Sequence, residues 1–245
     1  MKIIKLNAID STNSFLKELA QSTAIENGTV VVAKEQKKGR GQQENSWVSE
    51  PLKNLTFSVY FCNIDLNINH HKFLNFAVSL AVFEALSMHK VKDLSIKWPN
   101  DILSANKKIC GILIENIIKG KKINNSIIGI GLNVNQQNFP TSLKNVTSLR
   151  NTTNKLYDLD SLLIEVVDKI KEKIQLISLK KFTNLETDYL NVLYKKNIPT
   201  MFKDSEDVLF MGKILGISDS GNLLIELEDD IIKKPPLFDE LLLLE

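Results

Sequence analysis

The sequence predicts an α/β protein, a mixed sheet flanked by helices and followed by a small unit of short strands. Three observations predict it. Segments with an apolar residue at every second position alternate with segments at helical spacing, as when strands and helices interleave. The longest helical pattern, Asp158 to Ile177, puts Leu162, Leu163, Val166, Ile170, Ile174 and Ile177 on one face. Past Lys195 that spacing stops, and short apolar runs separated by turn residues take over.

Lys2 to Lys5 alternates lysine with apolar residues and reads as a first strand. Asp10, Ser11, Thr12 and Asn13 all favour the position that caps a helix, and Phe15, Leu16 and Leu19 then supply its apolar face. Taken alone, capping accounts for this polar run. Thr29 to Ala33 is rich in β-branched residues and reads as a buried strand. Leu55, Phe57, Val59 and Phe61 alternate with Thr56, Ser58 and Tyr60, which predicts a half-buried strand. From His70 to His89 the spacing turns helical, with Phe73, Phe76, Ala77, Leu80 and Phe83 on one face. The three histidines, His70, His71 and His89, lie at the ends of that helix and read as solvated termini rather than metal ligands or catalysts.

Leu94 to Lys97 leads into a turn, because Pro99 removes a ladder donor. Ile102 to Leu103 and Lys108 to Ile118 read as a hairpin across Ser104 to Lys107, and Ile123 to Val134 as the next strand. A shorter helix covers Phe182 to Leu193. Phe210 to Gly216, Leu223 to Leu227 and Ile231 to Lys233 read as strands, separated by turns at Ser218 to Gly221 and Asp229 to Asp230. The apolar tail Leu241 to Leu244 finishes a strand. A domain boundary is expected near Tyr194 to Pro199, giving units 1–195 and 196–245. The second unit is near the lower size limit for folding alone and is expected to dock on the first.

A chain of 245 residues, 43% hydrophobic and 24% charged, has the balance of an ordinary globular protein. Its formal charge of +2 gives no reason to expect a nucleic-acid partner. Met1 to Leu6 has no apolar core of signal-peptide length, and no run approaches the roughly 18 apolar residues of a membrane span. Cys62 and Cys110 sit inside apolar runs, as buried thiols do. A cytoplasmic, reducing setting is expected.

The stretch that bears on chemistry runs from Lys34 to Trp47 and holds Gly39-Arg40-Gly41. Glycines let backbone N–H groups approach an anion, and the arginine between them offers a planar charged fork for a carboxylate or phosphate. A plain hairpin loop with solvated charges fits this segment equally well. Gly129-Ile130-Gly131 lacks the third glycine of a dinucleotide fingerprint and does not open a helix, so a Rossmann reading fails. There is no Gly-Lys-Ser/Thr phosphate loop either.

With Asp10-Ser11-Thr12-Asn13, Lys97-Trp98-Pro99-Asn100-Asp101, Lys107-Lys108-Ile109-Cys110-Gly111 and Gly129-Ile130-Gly131-Leu132-Asn133, the Gly39 loop completes a set in a fixed order. In that order the chain resembles the biotin protein ligases, which activate biotin with ATP and attach it to a lysine of a carrier domain. The resemblance runs from about Asp10 to the C-terminus. It implies a class II synthetase-like sheet, a C-terminal SH3-like β-barrel, ATP and Mg2+ as cofactors, and a biotin carboxyl carrier protein or carboxylase carrier domain as partner. Ser11 lies too near Met1 for the N-terminal winged helix of some members, so a DNA-binding repressor is not expected. The oligomeric state stays open, a weak homodimer included.

The resemblance also assigns residues. Biotin would lie against Ser11, Thr12, Asn13, Gln36, Gly39, Arg40, Gly41, Gln42, Lys108 and Gly111. ATP would meet Arg40, Trp47, Lys97, Asn100, Lys108 and Asn133. Catalysis would fall to Arg40 and Lys108, with Asp101 orienting or deprotonating the carrier lysine. No metal site is implied within the protein itself. The chain departs from the family where further basic residues usually follow: Gln42-Gln43-Glu44-Asn45 stands there, which predicts weaker ATP binding or looser adenylate retention. A lipoate or octanoate ligase is the alternative within the superfamily, and a non-catalytic biotin-binding module the alternative outside catalysis.

Overall fold

The structure, a computed structural model, describes residues 1–42, 45–204, 206–227, 232–233 and 242–243. Strand β1 (Ile3–Ile9) leads into helix α1 (Thr12–Ser22) and returns parallel to itself in β2 (Thr29–Gln36). Then follow β3 (Leu55–Phe61), the short β4 (Leu66–Asn67), α2 (Lys72–Met88), β5 (Leu94–Lys97), β6 (Asp101–Ser104), β7 (Lys107–Lys119) and β8 (Lys122–Leu132). These strands form one sheet in the order β1-β2-β3-β8-β7-β6-β5, with β4 added against β8. Every pair except β1 with β2 is antiparallel, so the sheet is mixed, as expected. Helices α3 (Leu149–Thr153), α4 (Leu159–Ser178) and α5 (Phe182–Asn191) complete this unit.

The two sheet faces are covered differently. Val30, Phe57, Val59, Ile112, Ile128 and Ile130 join one large core with α2 and α4. Val31, Tyr60 and Ile127 point the other way and are covered by Leu16 of α1. β3 is therefore buried along its whole length rather than on one face. Its polar residues Thr56 and Ser58 are shut in beneath the α1 side, and their period-2 alternation marks two buried surfaces of different chemistry. α2 likewise buries twelve of its 17 residues around its circumference, more than the single face expected. α4 matches its periodicity, and Asp158 caps it by accepting from Ser161 N at 2.8 Å. That carboxyl titrates below its usual range because it accepts from the Ser161 backbone and side chain.

The histidines do stand at the ends of α2, as expected, with His70 exposed and His71 and His89 half-buried, and each also makes a contact there. His70 packs on Phe73 and Phe182, His71 Nδ1 lies 2.9 Å from Ile68 O, and His89 Nε2 lies 2.7 Å from a Glu165 oxygen.

The C-terminal unit holds β9 (Pro199–Lys203), β10 (Leu209–Ile217), β11 (Leu223–Glu226), β12 (Ile232–Lys233) and β13 (Leu242–Leu243) in the order β12-β11-β10-β9-β13. Among the described residues this path is open and does not close into a barrel. Ile231, the Asp229 to Asp230 turn and the ends of the Leu241 to Leu244 tail lie outside the described residues. The turn at Ser218 to Gly221 docks on the main sheet's helices. Lys72, 5% exposed, donates to Glu186 Oε1 of α5 at 2.8 Å and to Ser218 O at 3.2 Å. Trp98 Nε1 donates to Gly221 O at 3.0 Å. Among the described residues no helix is long and apolar enough to cross a membrane.

Candidate active site

A cleft of about 540 Å³ opens on the α1 side of the sheet. Its floor follows from register. Gly111 of β7 faces Gly131 of β8, and Leu113 faces Gly129, so three glycines fall on one face of adjacent strands. Glycines on a strand face leave room for a close approach. In the structure that room is shared with side chains. A β-carbon on Gly129 would stand 2.4 Å from Asn13 Oδ1, and one on Gly131 would stand 2.3 Å from Trp47 Cε2.

One wall is a chain of neutral polar groups. Ser11 caps α1 by accepting from Ser14 N. Gln36 Oε1, at the end of β2, accepts from Thr12 N at 2.8 Å and from Thr12 Oγ1 at 3.0 Å. That leaves Gln36 Nε2 as the donor end of the amide. Ser58 Oγ lies 2.7 Å from Thr12 Oγ1 and 2.5 Å from Asn13 Oδ1. Ser58 has one proton to give, and since Thr12 commits its own to Gln36, Ser58 bridges two acceptors. Asn13 Nδ2 donates to Glu115 Oε2 at 2.8 Å and to Leu113 O at 3.3 Å.

The Gly39 loop folds back on itself. Arg40 and Ser46 form an antiparallel bridge, Gly41 N donates to Asn45 O at 2.7 Å, and Trp47 N donates to Gly39 O at 2.9 Å. Gly39 is required by this closure, because a β-carbon there would stand 2.3 Å from Trp47 O. The closure lays the Trp47 indole over Gly111 and Gly131. Its Nε1 is buried without a hydrogen-bond partner among the described residues.

The cations come from two directions. Between β6 and β7 the register slips, so that Ile102 faces Cys110 but Leu103 faces Lys108. Ile109 is the extra residue, and it joins the core. Such a bulge re-aims a side chain. Without it, Lys108 would fall on the opposite face from Gly111. With it, Lys108 Nζ reaches Asp101 Oδ1 at 2.7 Å and stands 5.8 Å from the Trp47 ring centroid. The Cys110 thiol behind it is pushed well above its ordinary range, first by burial and then by the Asp101 charge, with Lys108 opposing. From the loop side, Arg40 Nη2 lies 3.3 Å from Glu115 Oε1, and Nη1 donates to Ser14 Oγ at 3.2 Å. Lys97 and Asn100 line the same cleft, Asn100 Nδ2 being tied to Ile112 O at 2.7 Å.

Of the residues singled out in the sequence, Ser11, Thr12, Asn13, Gln36, Arg40, Gly41, Gln42, Trp47, Lys97, Asn100, Asp101, Lys108 and Gly111 all line this one cleft. Gly39 and Asn133 do not. Gly39 closes the loop behind the cleft. Asn133 is buried just past β8, its Nδ2 donating to Thr147 O at 3.1 Å and its Oδ1 without a partner among the described residues. Gln43 and Glu44 lie outside the described residues. Ser58 and Glu115 were missed. Each left a signal, a serine within a buried strand and a single acid in the apolar run from Ile109 to Ile118.

The model of the Biotin/lipoate A/B protein ligase family matches residues 6–133. A bifunctional ligase/repressor BirA of Bacillus subtilis (strain 168) is 32% identical over 235 residues, covering 94% of this chain and 71% of that protein. A biotin acetyl-CoA-carboxylase ligase of Mycobacterium tuberculosis is 31% identical over 129 residues, 51% of this chain and 47% of that one. Among solved structures, a biotin protein ligase from Aquifex aeolicus in complex with biotin and ATP superposes with a TM-score of 0.82 at 29% identity, covering 99% of each chain. A family match spanning just over half of the chain and an identity above 30% across most of a relative agree with the cleft. The chain belongs to the biotin/lipoate A/B protein ligase family.

Proposed function

We propose that the chain activates biotin with ATP as biotinyl-5′-AMP and transfers the biotinyl group to a lysine of a carboxylase carrier domain. The observation that carries this reading is the pairing, in one cleft, of a neutral polar wall with a separate group of cations. A cyclic urea needs an acceptor for its N–H groups and a donor for its carbonyl, and burying it unpaired costs several kcal/mol. Asn13 Oδ1 and Gln36 Nε2 are groups of those two kinds. Lipoate and octanoate carry no urea and would leave these amides unpaired, which disfavours the alternative within the family.

In the first step an oxygen of the biotin carboxylate attacks the α-phosphorus of ATP; a P–O bond forms and pyrophosphate leaves. No base is needed, since the nucleophile is already an anion. The protein's task is to offset charge and hold the two anions together. Lys108, held by Asp101, and Arg40 from the loop are assigned to that task, with Lys97 and Asn100 on the nucleotide side and Trp47 beside the adenine. In the second step the neutral amine of the carrier lysine attacks the acyl carbon, the C–N bond forms, AMP leaves and the amine gives up a proton. Because Asp101 is committed to the Lys108 ammonium, its first role is to orient that cation.

Magnesium would accompany the polyphosphate. Among the described residues no three His, Cys, Asp or Glu side chains cluster to hold a metal. An ion that keeps several waters and phosphate oxygens needs only one or two protein oxygens. Asp101 and the unpartnered Oδ1 of Asn133 are the oxygens of that kind near the cleft, and the ion would neutralise phosphate charge. The separate C-terminal sheet supports dividing the chain into a catalytic unit, 1–195, and a docked unit, 196–245.

The test is pyrophosphate release in the presence of biotin and ATP, paired with calorimetric titration of biotin and of lipoate. Release that requires biotin, with biotin bound and lipoate not, is expected. Biotin binding without turnover would favour a non-catalytic module, and lipoate binding in its place would overturn the assignment.

A further inference from the structure

Glu115 touches both halves of the cleft. It lies on β7 opposite Ile127, on the face that carries Gly111, Leu113 and Gly129. One oxygen accepts from Asn13 Nδ2 at 2.8 Å; the other lies 3.3 Å from Arg40 Nη2 and 3.9 Å from Lys17 Nζ.

An asparagine amide is almost symmetric in shape, so its partners decide which end faces which way. The Asn13 amide meets two pure acceptors on one side, the Glu115 carboxylate and the Leu113 carbonyl. Reversing it would set its oxygen against both. The NH2 is therefore turned towards β7, and Oδ1 occupies the space above Gly129, where it accepts from Ser58 Oγ at 2.5 Å and keeps a second lone pair for a ligand. Gln36 is turned the opposite way, with Oε1 spent on Thr12. One amide thus offers an acceptor and the other a donor, the complement of a urea.

We propose that Glu115 is a positioning residue that fixes the polarity of the Asn13 amide, so that an acceptor faces the N–H of the bound ring, and that it holds Arg40 only loosely. This rests on the reading that the cleft takes biotin. The two contacts are unequal. The Asn13 contact is short, and the Asn13 side is buried. The Arg40 side chain is 47% exposed and its contact is long, so it is a weak pair that a phosphate would displace. Loss of Glu115 therefore falls on biotin more than on ATP.

The experiment measures KM for biotin and for ATP in wild type, Glu115→Ala and Glu115→Gln, with thermal melts to check folding. Glutamine keeps an oxygen that accepts from Asn13 but gives up the charge that holds Arg40. Alanine is expected to raise KM for biotin about tenfold, the cost of one buried hydrogen bond, and KM for ATP less than about threefold. Glutamine is expected to restore KM for biotin to within about twofold of wild type, on the same bond arithmetic. Equal rises in both constants, an unchanged KM for biotin, or a glutamine variant no better than alanine would overturn the proposal. Glu115→Asp, whose shorter carboxylate falls short of Asn13, replaces alanine if that variant does not fold, with the same expectation. Calorimetry on wild type separates the two levels of inference. No biotin binding there sinks the function, whereas binding that Glu115→Ala leaves intact sinks only the role of Glu115.

Discussion

The Trp47 indole lies where a side chain on Gly131 would have to be, 2.3 Å from Cε2 to the position of the missing β-carbon. A strand glycine is thus specified by a residue from a loop 84 positions earlier, counting from 47 to 131.

Gly131→Ala should push the indole off the floor. Forcing one methyl into a filled space costs about 1–3 kcal/mol if nothing moves, and the loop is the part free to move. The expected outcome is a red shift of tryptophan emission, because Trp98 stays bonded to Gly221. A fall of about tenfold in biotin-dependent pyrophosphate release should accompany it, by the same arithmetic. An unshifted spectrum with full turnover would place Trp47 outside the reaction.

Lys108→Ala should abolish adenylate formation. The ammonium is the cation that the β-bulge delivers to Asp101 and the glycine floor. Losing a preorganised charge of this kind costs about 100- to 1000-fold in rate. Single-turnover formation of biotinyl-AMP measures it directly. Near-normal turnover would remove Lys108 from the mechanism.

Cys110 should resist thiol reagents in the native protein and react only after unfolding, whereas Cys62, half-buried, reacts first. Its thiol is raised by burial, so the folded chain keeps that proton at a pH where the unfolded chain has begun to lose it. Stability from this group is full below the ordinary thiol pKa of about 8.5 and declines by up to about 1.4 kcal/mol per unit above it. Denaturant midpoints at pH 8 and pH 9.5 check this, and Cys110→Ala should flatten the difference.

Lys72→Met should loosen the docking of the C-terminal sheet. Lys72 bonds Glu186 and Ser218 across α2, α5 and the β10–β11 turn. A hydrogen bond from a buried charge contributes about 1.5–3 kcal/mol, and Glu186 is one-third exposed, so a loss of about 2 kcal/mol is expected. Chemical denaturation reads it. An unchanged midpoint would mean that apolar packing alone holds the units together.

Much of this was legible in the sequence because period and burial coincide. The alternation in β3 and the helical face of α4 depend on near neighbours. So does the capping run at Ser11, which also builds a wall of the cleft. What could not be read depends on distant partners. The polar face of β3 looked like a solvent face, because nothing local says that α1 will cover it. β9 starts on Pro199 and is short, so its pairing with β10 leaves little trace in composition. The side on which Lys108 emerges depends on a slip between β6 and β7.

That slip sets what kind of genetic change the strand can survive. Point substitutions between Ser104 and Cys110 alter one contact at a time. Deleting the codon for Ile109 would restore an even pairing and leave the lysine two positions before Gly111, still on the glycine face, at the cost of one core side chain. The strand can therefore lose its extra residue without turning the lysine away, whereas one further residue between Lys108 and Gly111, with the slip retained, would send that cation to the opposite face.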